Sequence, residues 1–361
     1  MTRTLILHLG TDKTGSTSLQ RILHLNRKKL RNQGILVPES FGKFNHDKLV
    51  SALLDDDVFD NVKLKILARN NWTIDQLRRH IRNSFENDLK NHPATDKIIF
   101  TSELIHSRMF RNSSINSIAE YFSGIVDEVK VIVFLRRQDR LAVSRFSTIL
   151  KGGYTEYDNT FADLGARSYV NTPIDKLPND FLHYYDYEHL LQRFVRQFGR
   201  ESICPIIYRE DSYNIAEEFL RAAEIPIGAI KKRDTEIAVN RSLSARAQYL
   251  ICQVNKIVDI RDETNNPNRD FRKLYARISN ENPGKKRIYA RAEAKNFYDK
   301  FRKSNEWVRA NFFPDASSLF DDDFSCYPEK IDQNDLQPEL LDAAANYYKN
   351  IRNPQKINFL T

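Results

Sequence analysis

Glycine is scarce in this chain, 11 of 361 residues, or about 3% where an ordinary protein carries ~7%. A collagen-like repeat and a flexible Gly-rich linker are thereby excluded. Two of the eleven, Gly10 and Gly15, nevertheless stand within six residues of each other near the N-terminus. Cysteine is scarcer still: Cys204, Cys252 and Cys326 are far apart and odd in number, which excludes a disulfide framework and any metal-binding spacing. Long apolar runs are missing as well. Val131–Leu135 is among the longest, whereas a bilayer-spanning helix needs about 20 residues. Leu5–Leu9 is soon interrupted by Asp12 and Lys13, so it does not read as a secretory leader. Together these absences predict a soluble protein of a reducing compartment, the cytoplasm.

What is present is enough for a sizeable core. Hydrophobic residues make up 41% of the chain and aromatics 11%, which excludes disorder. Lys and Arg number 56 against 48 Asp and Glu, a net charge of +8. Such a balance suits nucleic acid, an acidic membrane surface or a small anionic ligand. The basic runs Arg27–Lys29, Lys231–Arg233 and Lys285–Arg287 are short and dispersed, and acidic runs stand at Asp55–Asp57 and Asp321–Asp323. A nucleic-acid-binding protein calls for a concentrated stripe or a recognisable motif, and neither occurs; solvated faces account for the runs.

Periodicity divides the first two thirds of the chain into alternating strands and helices. Strands are predicted at Thr4–Leu9, Ile35–Val37, Lys97–Phe100, Val129–Leu135 and Ile203–Tyr208 from short apolar runs bounded by turns. Helices are predicted at Ser16–Asn32, His46–Leu54, Thr73–Asn91, Ser114–Ser123, Asp139–Leu150, Asp186–Phe198 and Ile215–Ala223, with Gly34 as a C-terminal cap. Strands separated by helices argue a mostly parallel sheet covered on both faces, a three-layer α/β/α fold. Beyond residue 240 the pattern is helical, at Ser242–Val258, Ile288–Phe312 and Pro338–Ile351. With no linker composition between them, residues 1–361 read as one elaborated domain, an α/β core over 1–240 and additional helices over 241–361. The stretch Gly152–Asp186 is rich in turns and aromatics without a period; it suits either a wall of a binding site or a small satellite core.

The two clustered glycines frame the segment Gly10-Thr-Asp-Lys-Thr-Gly-Ser-Thr-Ser18 between the first strand and the first helix. A Gly-x4-Gly loop in that position aims backbone N–H groups, and the positive end of the helix, at an anion. A nucleoside-triphosphate loop continues with Lys and then Ser or Thr; here Ser16 follows the second glycine, and the loop's lysine is Lys13, inside it. A P-loop kinase of small molecules is therefore the alternative reading. The segment instead resembles the 5′-phosphosulfate loop of sulfotransferases that use 3′-phosphoadenosine 5′-phosphosulfate (PAPS), above all the bacterial form Gly-Thr-x-Lys-[Ser/Thr]-Gly-[Ser/Thr]-Thr. Asp12 stands where the animal branch usually has Pro.

Two further segments extend the resemblance, which covers residues 5 to 211. Val131–Leu135 is a strand ending at Arg136, with Ser144 eight residues on in the next helix. The resemblance implies that Arg136 and Ser144 grip the 3′-phosphate, and a planar guanidinium fork suits phosphate. Read from the residues alone, Arg136 could as well pair with Asp139 and Ser144 be an ordinary helical serine. Ile206–Asp211 resembles the family's strand ending in Tyr-Glu-Asp, with Arg209 intervening; it implies Tyr208 beside the adenine, and an edge-of-core tyrosine fits equally. Pro283–Arg287 is the nearest stretch to the family's C-terminal Arg-Lys-Gly motif and is no convincing counterpart.

Sulfuryl transfer needs a base for the acceptor hydroxyl, a stabiliser for the leaving oxygen and in-line placement. The resemblance implies Lys13 as the stabiliser, helped by the loop Thr14, Gly15, Ser16, Thr17 and Ser18, with PAPS as donor, 3′,5′-adenosine bisphosphate (PAP) as product and no metal. The family's base follows the intervening strand, at Glu103 or, one turn on, His106; Glu103 is at the strand's C-terminal end, where open α/β sheets form their crevice. It could also serve merely as a helix N-terminal carboxylate. His8 reads as a satisfied strand histidine. By analogy with the family, the acceptor is a carbohydrate or glycolipid hydroxyl.

Overall fold

The computed structural model describes residues 2–11, 13–58, 60–153, 184–209, 214–231, 243–256, 260, 268–284 and 289–330. Five strands, β1 (Thr4–Leu9), β2 (Ile35–Leu36), β3 (Lys97–Ser102), β4 (Glu128–Leu135) and β5 (Ile203–Ile207), form one sheet in the order β2-β3-β1-β4-β5. Every pairing is parallel. Before β4 lie helices α1 (Ser16–Leu25), α2 (Arg27–Arg31), α3 (Asp47–Leu53), α4 (Asn61–Asn70), α5 (Ile74–Asn91), α6 (Glu103–Arg108) and α7 (Asn112–Phe122). After it come α8 (Gln138–Lys151), α9 (Tyr187–Phe198), α10 (Ile215–Ala222), α11 (Ala245–Asn255), α12 (Arg269–Glu281), α13 (Arg291–Asp299) and α14 (Arg302–Phe312). None of the described helices is long and apolar enough to cross a membrane.

Internal contacts divide the chain into two compact units. The first comprises 1–137, 171–239 and 301–321 and holds the sheet; the second comprises 138–170, 240–300 and 322–361. In the first, a parallel strand needs cover on both faces, and the alternation of side chains supplies it. Ile6, Ile99, Ile132 and Phe134 pack with Leu19, Ile22 and Leu23 of α1 and with Ala216, Phe219 and Leu220 of α10. On the other face Phe100 meets Phe41 and Phe122, and Phe41 meets Phe85 of α5, with ring centroids 4.7–6.2 Å apart. Each of these rings is fully or almost fully buried, worth about 2–3 kcal/mol apiece. The fold is the α/β architecture that the strand–helix rhythm predicts.

In the second unit α8 carries the buried Leu141, Ala142, Phe146, Ile149 and Leu150. The Asn255 side chain at the end of α11 donates to the Leu150 carbonyl at 2.9 Å, and Gln248 donates to Ser147 at 3.1 Å. Tyr327 donates to Asp139 at 2.8 Å.

Boundaries depart from periodicity where side chains compete with the backbone. The helix expected over Ser16–Asn32 breaks at Asn26, whose side-chain amide donates to the Ile22 carbonyl at 2.9 Å, a bond that rivals the helical ladder. The helix expected over Ile288–Phe312 is two, separated at Lys300–Phe301, and α4 and α12 lie where no helix was expected. The helix expected at Pro338–Ile351, and all but the ends of Gly152–Asp186, lie outside the described residues.

Two histidines of the sheet's core are fully buried. His8 bonds through Nδ1 to the Thr101 hydroxyl at 2.8 Å and meets Phe134 and Phe219 edge-on. His46 accepts the Thr101 amide at 3.2 Å. Burial pushes both imidazoles down to about 3, so each is neutral in the native state. Below the ordinary value near 6.5 the unfolded chain takes up two protons that the folded chain refuses, so stability falls as the pH drops from about 6.5 toward 3. From pH 7 to 5.5 the two together should cost roughly 2–3 kcal/mol, read from urea midpoints; a flat profile over that interval would contradict the neutral, buried assignment.

Candidate functional site

The loop between β1 and α1 stands at the C-terminal edge of a central strand, with β3 and β4 on either side. Three tethers shape it. The Gly10 amide donates to the Ser102 carbonyl at 3.1 Å, and Thr11 donates its hydroxyl to the Phe134 carbonyl. The buried hydroxyls of Thr14 and Ser16 donate to the Thr11 carbonyl at 2.7 and 3.0 Å. These last two hydroxyls therefore brace the loop from inside. Lys13 (φ 63°) and Gly15 (φ 88°) both lie in the left-handed region, the kind of turn that gathers successive amides into an anion-binding concavity. The first-turn amides of α1 have no intrahelical acceptor, and no acidic residue stands in that turn. Lys13 is half-buried, Thr17 exposed and Ser18 buried.

Arg136 leaves the end of β4 and turns back to the loop. Its guanidinium, in a residue only 5% exposed, donates to the Lys13 carbonyl at 2.6 Å and lies 5.4 Å over the Tyr208 ring. Tyr208 is held beside it because its amide continues the β4 ladder, donating to Leu135 at 2.8 Å. Arg137 alternates away and binds Asp321 through the carboxylate at 2.5 Å and the carbonyl at 3.1 Å.

Glu103 opens α6 directly after β3, and its carboxylate accepts the Thr17 hydroxyl at 3.1 Å. A Cβ on Gly10 would lie 3.0–3.1 Å from the Cγ, Cα and N of Glu103; only glycine lets the loop and α6 approach so closely. His106 is on another side of the same helix. It is 5% exposed, bonds to the Tyr184 carbonyl at 3.2 Å and packs on the Tyr184 ring at 4.3 Å. The first unit thus gathers Lys13, Thr14, Gly15, Ser16, Thr17, Ser18, Glu103, Arg136 and Tyr208 at one edge of the sheet, and turns the His106 ring toward Tyr184. Ser144, buried on α8, belongs to the second unit. Among the described residues no three His, Cys, Asp or Glu side chains gather as metal ligands.

Of three further residues at this edge, two lack a distinctive local signal and one carries it. Thr11 is an ordinary member of the loop motif. Tyr187, 51 residues beyond Arg136, donates its hydroxyl to the Arg136 carbonyl and accepts the Arg136 amide at 3.3 Å. Ser102 accepts the Leu104 amide at 3.2 Å as the cap of α6, which a serine before a helical run does suggest.

These features define a parallel α/β domain with a cationic, amide-lined loop beside a buried arginine and a carboxylate. No family model matches the chain, and no curated protein sequence matches it. Among solved structures, a sulfotransferase from Alicyclobacillus acidocaldarius is similar at 13% identity and a TM-score of 0.42, over 71% of this chain and 94% of that one.

Replacing Tyr187 by Phe removes both hydrogen bonds that its hydroxyl makes to the Arg136 backbone, and should lower the unfolding free energy by about 1–3 kcal/mol. Urea denaturation of Tyr187→Phe beside the parent reads this; a loss within 0.5 kcal/mol, the scale of a neutral surface change, would assign the clamp no weight.

Proposed function

We propose that the chain is a sulfotransferase that moves the sulfuryl group of PAPS to a hydroxyl of a carbohydrate or glycolipid. The observation that carries the reading is the bond from Arg136 to the Lys13 carbonyl, 2.6 Å long. It sets a buried guanidinium against the amide-rich loop that carries the second cation, Lys13, so that two positive groups serve one site. That arrangement suits a ligand with two separate anionic groups, a 5′-phosphosulfate and a 3′-phosphate, with the adenine near Tyr208. A triphosphate loop would instead place its lysine after the second glycine, where this chain has Ser16.

In this reading each residue has one task. Glu103, oriented by Thr17, takes the acceptor's hydroxyl proton as its oxygen attacks sulfur. The bond from sulfur to the bridging phosphate oxygen breaks, and Lys13 with the first-turn amides of α1 holds the charge that collects on that oxygen. The products are a sulfate ester, PAP and a proton on Glu103. Arg136 holds the donor's 3′-phosphate and at the same time supports the left-handed turn at Lys13, a conformation that costs a non-glycine residue roughly 1–2 kcal/mol.

Thermal shift tests the donor class: PAP should raise the melting temperature and ATP–Mg²⁺ should not, while stabilisation by ATP–Mg²⁺ alone would assign the loop to a kinase. Lys13→Ala should lower transfer by about 10²–10³. Glu103→Gln should cut kcat by about 10²–10⁴ with the donor KM unchanged. Near-normal turnover of Glu103→Gln would move the base to His106. Arg136→Ala should raise the KM for PAPS; unaltered PAP affinity would place the 3′-phosphate elsewhere.

A further inference from the structure

Glycine marks a second tight turn in the first unit. Gly42 has φ +137°, and a Cβ there would fall 2.4 Å from the Asn45 carbonyl oxygen and 2.7 Å from the Asp47 carboxylate. The turn buries Phe41 completely yet leaves Lys43 and Phe44 outside, Phe44 at 42% exposure. It is strapped down on two sides. Arg27 donates to the Gly42 carbonyl at 3.1 Å, to Glu39 at 2.6 Å and to His24 Nδ1 at 2.9 Å. Asn45 accepts the Ser102 hydroxyl at 2.5 Å, and the His46 amide donates to the Thr101 carbonyl at 3.0 Å. An exposed aromatic ring is thus held rigidly one residue from the contact that positions the residue before Glu103.

Around that ring the chemistry is mixed. The His24 ring is tilted against Phe44 with centroids 4.4 Å apart, and Lys43 Nζ stands 5.4 Å from its centre. His24 also shares a face of α1 with exposed Arg21 and with Thr17, the partner of Glu103, because residues four and seven apart line up on a helix. Seven residues span on the order of 10 Å, a distance a short oligosaccharide covers. The charge is one-sided: residues 13–38 contain no Asp or Glu. The nearest carboxylate after them, Glu39, is engaged by Arg27.

We propose that Phe44, His24, Lys43 and Arg21 form an acceptor platform for an anionic oligosaccharide, a sugar chain bearing carboxylate or sulfate groups. One sugar ring lays its C–H face on Phe44, Lys43 and Arg21 take its anionic groups, and the next rings along the chain bring a hydroxyl to Glu103. A single phenyl ring rimmed by cations matches the width and polarity of a sugar; an extended apolar scaffold would need a broader face. The assignment rests on the sulfotransferase reading for the direction of the chain toward Glu103, and the platform itself can be tested without it.

The test is titration calorimetry on the full chain, with PAP present, using a galacturonate tetrasaccharide, a sulfated tetrasaccharide and a neutral glucose tetrasaccharide. At least one anionic sugar should bind the parent more tightly than the neutral one. Phe44→Ala and Lys43→Gln should each weaken that binding about tenfold while PAP affinity stays at the parent's value. The platform is overturned if neither anionic sugar binds, if the neutral sugar binds as well, or if both variants bind as the parent does. Failure of PAP to bind would instead remove the sulfotransferase reading, with the sugar titrations still deciding the platform.

Discussion

The arrangement of the candidate site depends on a buried arginine pointing backward. Arg136 ends β4 and, instead of continuing outward, donates to the Lys13 carbonyl on the neighbouring strand's loop. Parallel pairing is what makes this reach available. Because β1, β3 and β4 run in the same direction, their C-terminal ends emerge at one edge, and the residues that follow each of them meet. A guanidinium buried in this way needs its donors occupied, and the Lys13 carbonyl together with the face of Tyr208 meets part of that need.

Much of this was legible from local pattern. The apolar runs of β1, β3, β4 and β5 are short and bounded by turns, and the spacing of Gly10 and Gly15 marks the strand–loop–helix junction directly. What pattern cannot carry is the partner of each side chain across long separations. Tyr187 and Arg136 are unremarkable individually, and their clamp exists only once α9 lies beside β4. The directions of Glu103 and His106 are another case: both sit within one turn of α6, and the choice between them depends on Thr17 on one side and Tyr184 on the other. The break at Asn26 was hidden for a simpler reason, since an asparagine in a leucine-rich helical pattern signals competition with the backbone only weakly.

Two of the few glycines, Gly10 and Gly42, are placed where backbones must come together. At Gly10 the missing side chain lets α6 start against the loop, and the same economy at Gly42 lets Arg27 and Asn45 hold an aromatic ring in solvent. Elsewhere the chain uses polar side chains for similar ends: the hydroxyls of Thr11, Thr14 and Ser16 stiffen the loop by bonding its own carbonyls and that of Phe134. A loop braced from inside retains its shape when a ligand arrives, so less ordering is left for binding to supply.

The strand order has a consequence for how the molecule comes into being. β1 is synthesised before either of its partners, and both are remote: Leu5 pairs with Ile98 and with Val129, separations of 98 − 5 = 93 and 129 − 5 = 124 residues. A strand of almost wholly buried residues must therefore wait, unpaired, until β3 and then β4 have left the ribosome. Non-local pairing of this kind closes large loops before any contact rewards it, which slows folding. In the meantime it leaves an apolar edge open to association with other chains. The feature that brings the loop, the carboxylate and the arginine to one edge of the sheet is thus also the one that makes the nascent chain most dependent on protection while it is being made.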